Sequence, residues 1–352
     1  MRGSSSAQGQ RMAGLSASHM GHPVVEALLR RRDEESQPGS RHDDAQIALV
    51  IEGGGMRGIF TAGMATALEQ LGLLTCFDAI YGTSAGALTG AFAISGQVAY
   101  GCKVYYDDLG KTPFIDITRA VRGGPVMDLH YLVEEVYVTA KPLEYQRVID
   151  DPRRLHCIAT NVRTGAREVL SQFSDVRDVQ DALLASTRVP WIAGPPVVVN
   201  GKAMVDGTWI EAIPLGAAED DGASHVLCLL SRPDGGEFKT PHSPLSRVVV
   251  ERYARSIAPA LVDTHRQRPE RYNRIVAAIT QHSENPARVP FVLGIRPPAG
   301  TPVVKHLETR TRKLFPAAVA GMQAVYQVFT GESPPVHEAL RAFPQLVAVS
   351  LS

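Results

Sequence analysis

The chain is poor in the features that would tie it to a metal, a disulfide framework, nucleic acid or a bilayer span. Its four cysteines, Cys76, Cys102, Cys157 and Cys228, are scattered along 352 residues, with no Cys-x-x-Cys pair and no histidines at zinc-ligand spacing. A zinc site and a disulfide scaffold are thereby excluded, and four buried, reduced thiols are expected. Charge of one sign is not in excess either: 36 Lys and Arg balance 36 Asp and Glu. A nucleic-acid binder carries a basic surplus, so no nucleic-acid partner is expected. No apolar run reaches the 18 or so residues that span hydrocarbon. The first 44 residues are rich in Ser, Gly, Arg and Asp and hold no apolar segment ahead of a small-residue cleavage site, so no secretory signal is read there. A cytoplasmic protein, at most peripheral to a membrane, is the expectation.

What is present is an ordinary globular composition, 44% hydrophobic and 20% charged, long enough to bury a substantial core. Residues 1–44 read as a polar, disordered leader outside the fold, with at most a turn or two of helix at 23–32. From residue 46 the pattern changes. Ile47–Ile51 is an unbroken aliphatic run, the mark of a strand buried on both faces. A glycine turn follows, then helical spacing over 59–71, a second apolar run at 77–81 and a small-residue helix over 85–94. Strand, helix, strand, helix implies right-handed crossovers and a mostly parallel sheet flanked by helices, an α/β fold. Further strands are predicted at 155–160, 168–170, 197–199, 203–205 and 226–230. Residues 105–146 read as a helical, loop-rich cap over the sheet edge. After residue 232 a Pro- and Gly-containing connection leads to a helical tail, broken by one strand-like run at 290–295. The domain expectation is a catalytic unit over 45–231 with a mainly helical extension, 232–352, packed on it.

Two glycine-rich turns sit one βα unit apart, each where a parallel strand gives way to a helix, the edge at which open α/β sheets bind ligands. The second, Gly82-Thr83-Ser84-Ala85-Gly86, fits a nucleophile elbow, with glycines where side chains would collide and a helix N-terminus directed at the serine. The first, Gly53-Gly54-Gly55-Met56-Arg57-Gly58, offers the backbone N–H groups of Gly54 and Gly55 for a developing oxyanion, and Arg57 adds positive charge beside them. The same turn matches a dinucleotide fingerprint, with Asp78 twenty residues later. That acid precedes the second strand, so it would lie at the wrong sheet edge to hold a ribose. A serine hydroxyl needs a base. His225, His242, His265, His282 and His306 all lie downstream without a distinctive turn context, whereas Asp206-Gly207 closes a short strand and offers an ionised carboxylate at a sheet edge.

These pieces, in order, resemble the patatin-like phospholipases of bacteria. Gly53 to Gly58, Gly82 to Gly86 and Asp206-Gly207 look like that family's oxyanion loop, serine elbow and catalytic aspartate. Ala185-Ser186-Thr187-Arg188-Val189-Pro190, with Pro195-Pro196, is similar to its small-residue and proline segment. The resemblance spans about 47–230. It implies a three-layer α/β/α fold, a Ser84–Asp206 dyad working without histidine, a lipid or acyl-ester substrate and no metal or organic cofactor. It departs from the family at Thr208, Arg188 and Trp191, the last two near the expected acyl pocket. Two rivals stay open: a Ser–His–Asp hydrolase and a non-catalytic lipid- or nucleotide-binding module. In the tail, Leu307, Leu314, Val319, Met322, Val325 and Phe329 form an apolar stripe beside Lys305, Arg310, Arg312 and Lys313. Such a stripe serves either core packing or transient contact with an anionic membrane surface.

Overall fold

The computed structural model describes residues 21–335 apart from 110–113, 117, 123 and 234–243. Its centre is one sheet of eight strands: β1 (Ile47–Ile51), β2 (Ala79–Thr83), β3 (Arg154–Asn161), β4 (Arg167–Leu170), β5 (Val197–Val199), β6 (Lys202–Asp206), β7 (His225–Leu229) and β8 (Phe291–Ile295). Seven longer helices are α1 (Pro23–Asp33), α2 (Gly58–Gln70), α3 (Ala85–Ile94), α4 (Val176–Thr187), α5 (Pro244–Ile257), α6 (Pro259–Glu284) and α7 (Thr311–Thr330). The strand order is β5-β6-β3-β2-β1-β7-β8, with β4 on β3. Pairings from β3 through β8 are parallel, and those of β4, β5 and β6 are antiparallel.

Alternation along the strands builds the three layers, because successive side chains leave a strand on opposite faces. In β1, Ile47, Leu49 and Ile51 join the core beneath α2, α3 and α7, while Ala48 and Val50 join a second core with Tyr272 and Ile279 of α6. Both sheet faces are therefore covered, which is why the strands read as continuous apolar runs. Helix α2 is buried from Gly58 to Leu68, and α7 packs along it. Two glycines set that spacing. A Cβ at Gly63 would lie 2.1 Å from the Ala318 carbonyl oxygen, and one at Gly321 2.1 Å from that of Phe60. The stripe on α7 is thus core: Leu314, Met322, Val325 and Phe329 are buried.

Two boundaries differ from expectation. Helix α1, placed outside the fold with the polar leader, is part of the core: Val24, Val25 and Leu28 are fully buried. Its arginine run misleads, because Arg31 points inward. With no exposed surface, it donates to Asp43 at 2.9 and 2.7 Å, to Asp78 at 2.8 Å, and to the carbonyls of Cys76 and Ala45. The other oxygen of Asp78 takes Arg41, so this acid anchors the segment that precedes the sheet. Nor does the chain divide after residue 231. β8 pairs with β7 as the last strand of the same sheet, and α7 lies on α2, so 291–295 and 311–330 belong to the main body.

All four cysteines are buried, unpaired thiols. Among the described residues no helix is long and apolar enough to cross a membrane, and no cluster of His, Cys, Asp and Glu could hold a metal ion.

Two stability outcomes follow. Arg31→Ala leaves Asp43 and Asp78 without their buried partner and should lower urea-unfolding stability by about 3–5 kcal/mol; a loss below 1 kcal/mol would mean α1 is not anchored this way. Gly321→Ala forces α2 and α7 apart and should cost about 1–3 kcal/mol, read as a lowered thermal midpoint.

Candidate active site

The site is made by strand ends. In a mostly parallel sheet the carboxyl ends share one edge, and there β1 leads to Gly53, β2 to Ser84, β7 to Ser231 and β8 toward His306. Asp206 reaches the same place by another route. β4 bonds Cys157 to Thr160 of β3; it shares Cys157 and Ile158 with β2, and Ala159 and Thr160 with β6. A strand has two edges, so β2 and β6 must lie on the edge opposite β4, end to end. Thr83 is registered with Ile158 and Asp206 with the next residue, Ala159. The register of β6 is set by a two-residue hairpin from β5, in which Asn200 (φ 50°) and Gly201 (φ 73°) take the positive φ values that such a turn requires.

Ser84 occupies the turn between β2 and α3 at φ 55°, ψ −123°, a conformation that side-chain-bearing residues rarely adopt. Such strain costs of order 1–3 kcal/mol and persists only where the surroundings enforce it. A Cβ at Gly82 would lie 2.5 Å from the Ala87 Cα, and one at Gly86 2.2 Å from the Ile51 carbonyl oxygen, so the turn fits only with glycine at both places. The Ser84 N–H donates to Ser186 Oγ at 2.9 Å, and that hydroxyl donates to the Ile158 carbonyl at 2.6 Å. Thr83 is held by a bond from its hydroxyl to the Glu211 carbonyl, and Ala85 begins α3.

The Ser84 hydroxyl donates to Asp206 Oδ2 at 2.7 Å, across 122 residues of chain. Asp206 is fully buried, and burial raises its pKa above the usual carboxylate range. Hydrogen bonds from Thr208 and Ser84 and the charge of Arg268 oppose that rise. Its Oδ1 accepts from the Thr208 N–H at 2.7 Å, and its own carbonyl accepts from the Thr160 hydroxyl.

The glycine turn runs alongside. Gly53 N–H donates to the Ala212 carbonyl and Met56 N–H to the His306 carbonyl. Among the described residues the N–H groups of Gly54 and Gly55 have no acceptor. Gly55 needs φ 58°, and a Cβ there would meet the His306 ring at 2.7 Å. Gly58, at the start of α2, fits under Tyr105 and against Ala85, which ties the two turns together. Ser84, Ala85, Gly55, Met56 and His306 share a cavity of about 40 Å³ with apolar side chains of the cap, among them Leu109, Phe114, Met127, Leu129 and Leu132. Arg57 is half-buried beside the turn, its pKa pulled down to about 10 by desolvation and then by Arg232.

The histidines separate clearly. His225 and His282 lie at the amino ends of β7 and β8, the far edge from Ser84. His265 lies against Trp209 with the rings tilted at 46°, and His242 lies outside the described residues. Of the four that are described, His306 alone lines the cavity with Ser84. Burial, then Arg57 and Arg268, push its pKa to about 3, which leaves it neutral. Asp78 sits at the amino edge with Arg31 and Arg41, away from the glycine turn, as a ribose ligand could not. Arg188 and Trp191 do not line the cavity near which they were expected. Arg188 is pinned by the Ala193 carbonyl at 2.6 Å and His130 at 2.8 Å, and Trp191 is exposed. Ser186, Ser231 and His306 gain their places through long-range contacts, and Thr208 through Asp206 two residues before it. Ser186 lay within a recognised segment, but no local signal marked Ser231 or His306.

A family model for patatin-like phospholipase matches residues 49–219. An uncharacterised Escherichia coli protein, YjjU, is 32% identical over 200 residues, covering 56% of this chain and 53% of its own. Human patatin-like phospholipase domain-containing protein 6 is 27% identical over 219 residues, 59% of this chain and 15% of its own. The lysophospholipase NTE1 of Scheffersomyces stipitis is 25% identical over 191 residues, 52% of this chain and 11% of its own. This chain thus spans about half of the bacterial relative and a small part of the two eukaryotic ones. The crystal structure of VipD from Legionella pneumophila aligns with TM-score 0.44 and 12% identity over 82% of this chain and 67% of that one, too loose a likeness to argue from. The chain thus carries a patatin-like phospholipase domain over residues 49–219, a span that includes the glycine turn, Ser84 and Asp206.

Proposed function

We propose that this protein is a serine acyl hydrolase that cleaves carboxylic esters of lipids, of the phospholipase A or lysophospholipase type, through a Ser84–Asp206 dyad. The observation that carries the reading is the 2.7 Å bond from the Ser84 hydroxyl to a fully buried carboxylate. Ser84 Oγ attacks the ester carbonyl while Asp206 Oδ2 accepts its proton. The raised pKa of Asp206 makes it a stronger base than a solvated aspartate, matched more closely to the task at neutral pH. The tetrahedral oxyanion is met by the N–H groups of Gly54 and Gly55, whose lack of acceptors supports that role. Collapse breaks the ester C–O bond, the leaving alcohol takes the proton back from Asp206, and an acyl-serine remains. Water then attacks the acyl carbon with Asp206 again as base, the acyl–Oγ bond breaks, Ser84 Oγ takes the proton back from Asp206, and the fatty acid leaves.

The apolar cap walls suit an acyl chain. About 40 Å³ holds only a fraction of one, so a long chain enters by parting cap side chains such as Leu109 and Leu132. The name of the Scheffersomyces relative supports the lysophospholipase form of the reading.

Ser84→Ala should lower turnover of a p-nitrophenyl acyl ester by roughly 10⁴-fold or more, and Asp206→Asn by about 10²–10⁴-fold, both with unchanged circular dichroism. Full activity in either variant would sink the dyad. In the wild type, protonated Asp206 cannot accept the serine proton, and its pKa is raised. The acid limb of kcat/KM should therefore have its midpoint above the ordinary aspartate value of about 3.9. A midpoint at or below that value contradicts a buried base.

A further inference from the structure

A second void continues the Ser84 cavity along α3. It measures about 10 Å³ and shares three wall residues with the first, Leu88, Tyr105 and Tyr137. Beyond them it is lined by Thr89, Phe92, Gly101 and Cys102. Ser84, Leu88 and Phe92 recur at four-residue spacing, so the two voids lie along one face of the helix. Little of the wall is polar. The Thr89 hydroxyl donates to the Ala85 carbonyl at 3.0 Å and pairs with the Tyr105 hydroxyl. Burial keeps the Cys102 thiol neutral, its pKa pushed up to about 12. Such a lining suits hydrocarbon.

Phe92 closes the inner end. Its ring meets that of Tyr137 edge-on, with centroids 5.0 Å apart at 90°. Against it stands the helical turn Val98–Cys102, where a Cβ on Gly101 would lie 2.4 Å from the ring. The facing wall is built differently. Val104–Asp108 and Tyr131–Ala140, which carry Tyr105, Leu132 and Tyr137, are π-helical. There the Leu109 N–H donates to the Val104 carbonyl and the Lys141 N–H to the Val136 carbonyl, each five residues back. π-Helical stretches are rare and recur at functional sites. One wall is thus a regular helix and the other a cap of uncommon backbone.

We propose that α3 measures the acyl chain, with Leu88 along the track and Phe92 as its floor, so that the preferred lipid carries a medium-length chain of about eight to ten carbons. The proposal rests on the acyl-hydrolase reading and adds the substrate's chain length. A helix rises about 1.5 Å per residue, which puts Phe92 about 12 Å beyond Ser84. Helical side chains tilt back toward the N-terminus, so the track runs roughly 10 Å, the length of an extended chain of that size. Voids this small do not hold it as they stand, and the chain opens the track by moving Tyr105 and Tyr137 of the π-helical wall aside. A longer chain has to turn out past Leu109 and Leu132 and lose cap packing.

The test measures kcat/KM of the full chain on p-nitrophenyl esters from butanoate to hexadecanoate, each below its micellar concentration. The value should rise by about two- to fourfold per added methylene up to octanoate or decanoate, as burial of each CH₂ group predicts, and fall beyond. Phe92→Ala should move the maximum to longer chains. Leu88→Phe, which places a ring one helical turn from Ser84, should bring it back to butanoate or hexanoate. Each comparison is a ratio between esters, so a loss of folded enzyme cancels. Should Phe92→Ala not fold, Phe92→Leu and Leu88→Phe carry the comparison. A value that climbs through hexadecanoate, or is the same for every ester, overturns the track and leaves the hydrolase standing. A maximum that stays in place when Phe92 is shortened overturns the floor. No turnover of any ester overturns the hydrolase itself.

Discussion

One edge of β3 holds two strands end to end, and the bond between Ser84 and Asp206 on which the proposed chemistry rests depends on that meeting. β2 arrives parallel and stops at Thr83, while β6 arrives antiparallel and stops at Asp206, with partners one residue apart on β3. The strand ends then turn away through a serine in an uncommon backbone conformation and through Gly207. A Cβ on Gly207 would strike the Ile158 carbonyl oxygen at 2.2 Å. A hydroxyl and a carboxylate are thereby held at bonding distance by sheet hydrogen bonds and not by flexible loops. Placement of reacting groups on rigid elements is what removes most of the orientational part of a barrier.

The strain at Ser84 and the burial of Asp206 are both unfavourable by themselves, and the frame around them is correspondingly tight. α2 is buried over most of its length between the sheet and α7, with glycines at the two closest approaches. Ser186 bridges the serine's N–H to β3, and Thr208 holds the aspartate's second oxygen. At the other edge of the sheet, Arg31 gathers Asp43, Asp78 and two carbonyls, fixing the start of β1 and β2. Asp43, with Arg31 beside it, is held down to about 2.

Much of this was legible in the sequence, and the reason is locality. β1 and α3 have the bounds that their residue patterns predict, and the strands around 154–161, 197–206 and 225–229 fall within a residue or so of expectation. The Gly82 to Gly86 turn can be read as an elbow because Gly82 answers a contact within its own βα unit, at Ala87, although Gly86 answers Ile51 of the neighbouring strand. Helix α1 is not legible, for the opposite reason. A run of Arg30, Arg31 and Arg32 beside a narrow apolar stripe looks solvated, and only acids 12 and 47 residues away make the middle one a core residue. The 290–295 run was recognised as a strand, but nothing in it says which strand it pairs with. It was therefore assigned to an extension, though it completes the central sheet.

The amino-acid sequence by itself determined the element types and the two glycine turns and marked the candidate residues at positions 84 and 206, because helix and strand periodicity and turn chemistry act over a few residues. The tertiary structure alone decided that position 206 meets position 84 and that His306 faces the same cavity while His225 and His282 face away. Those outcomes depend on sheet order and register, which are set by hydrogen bonds and packing between segments far apart in the chain.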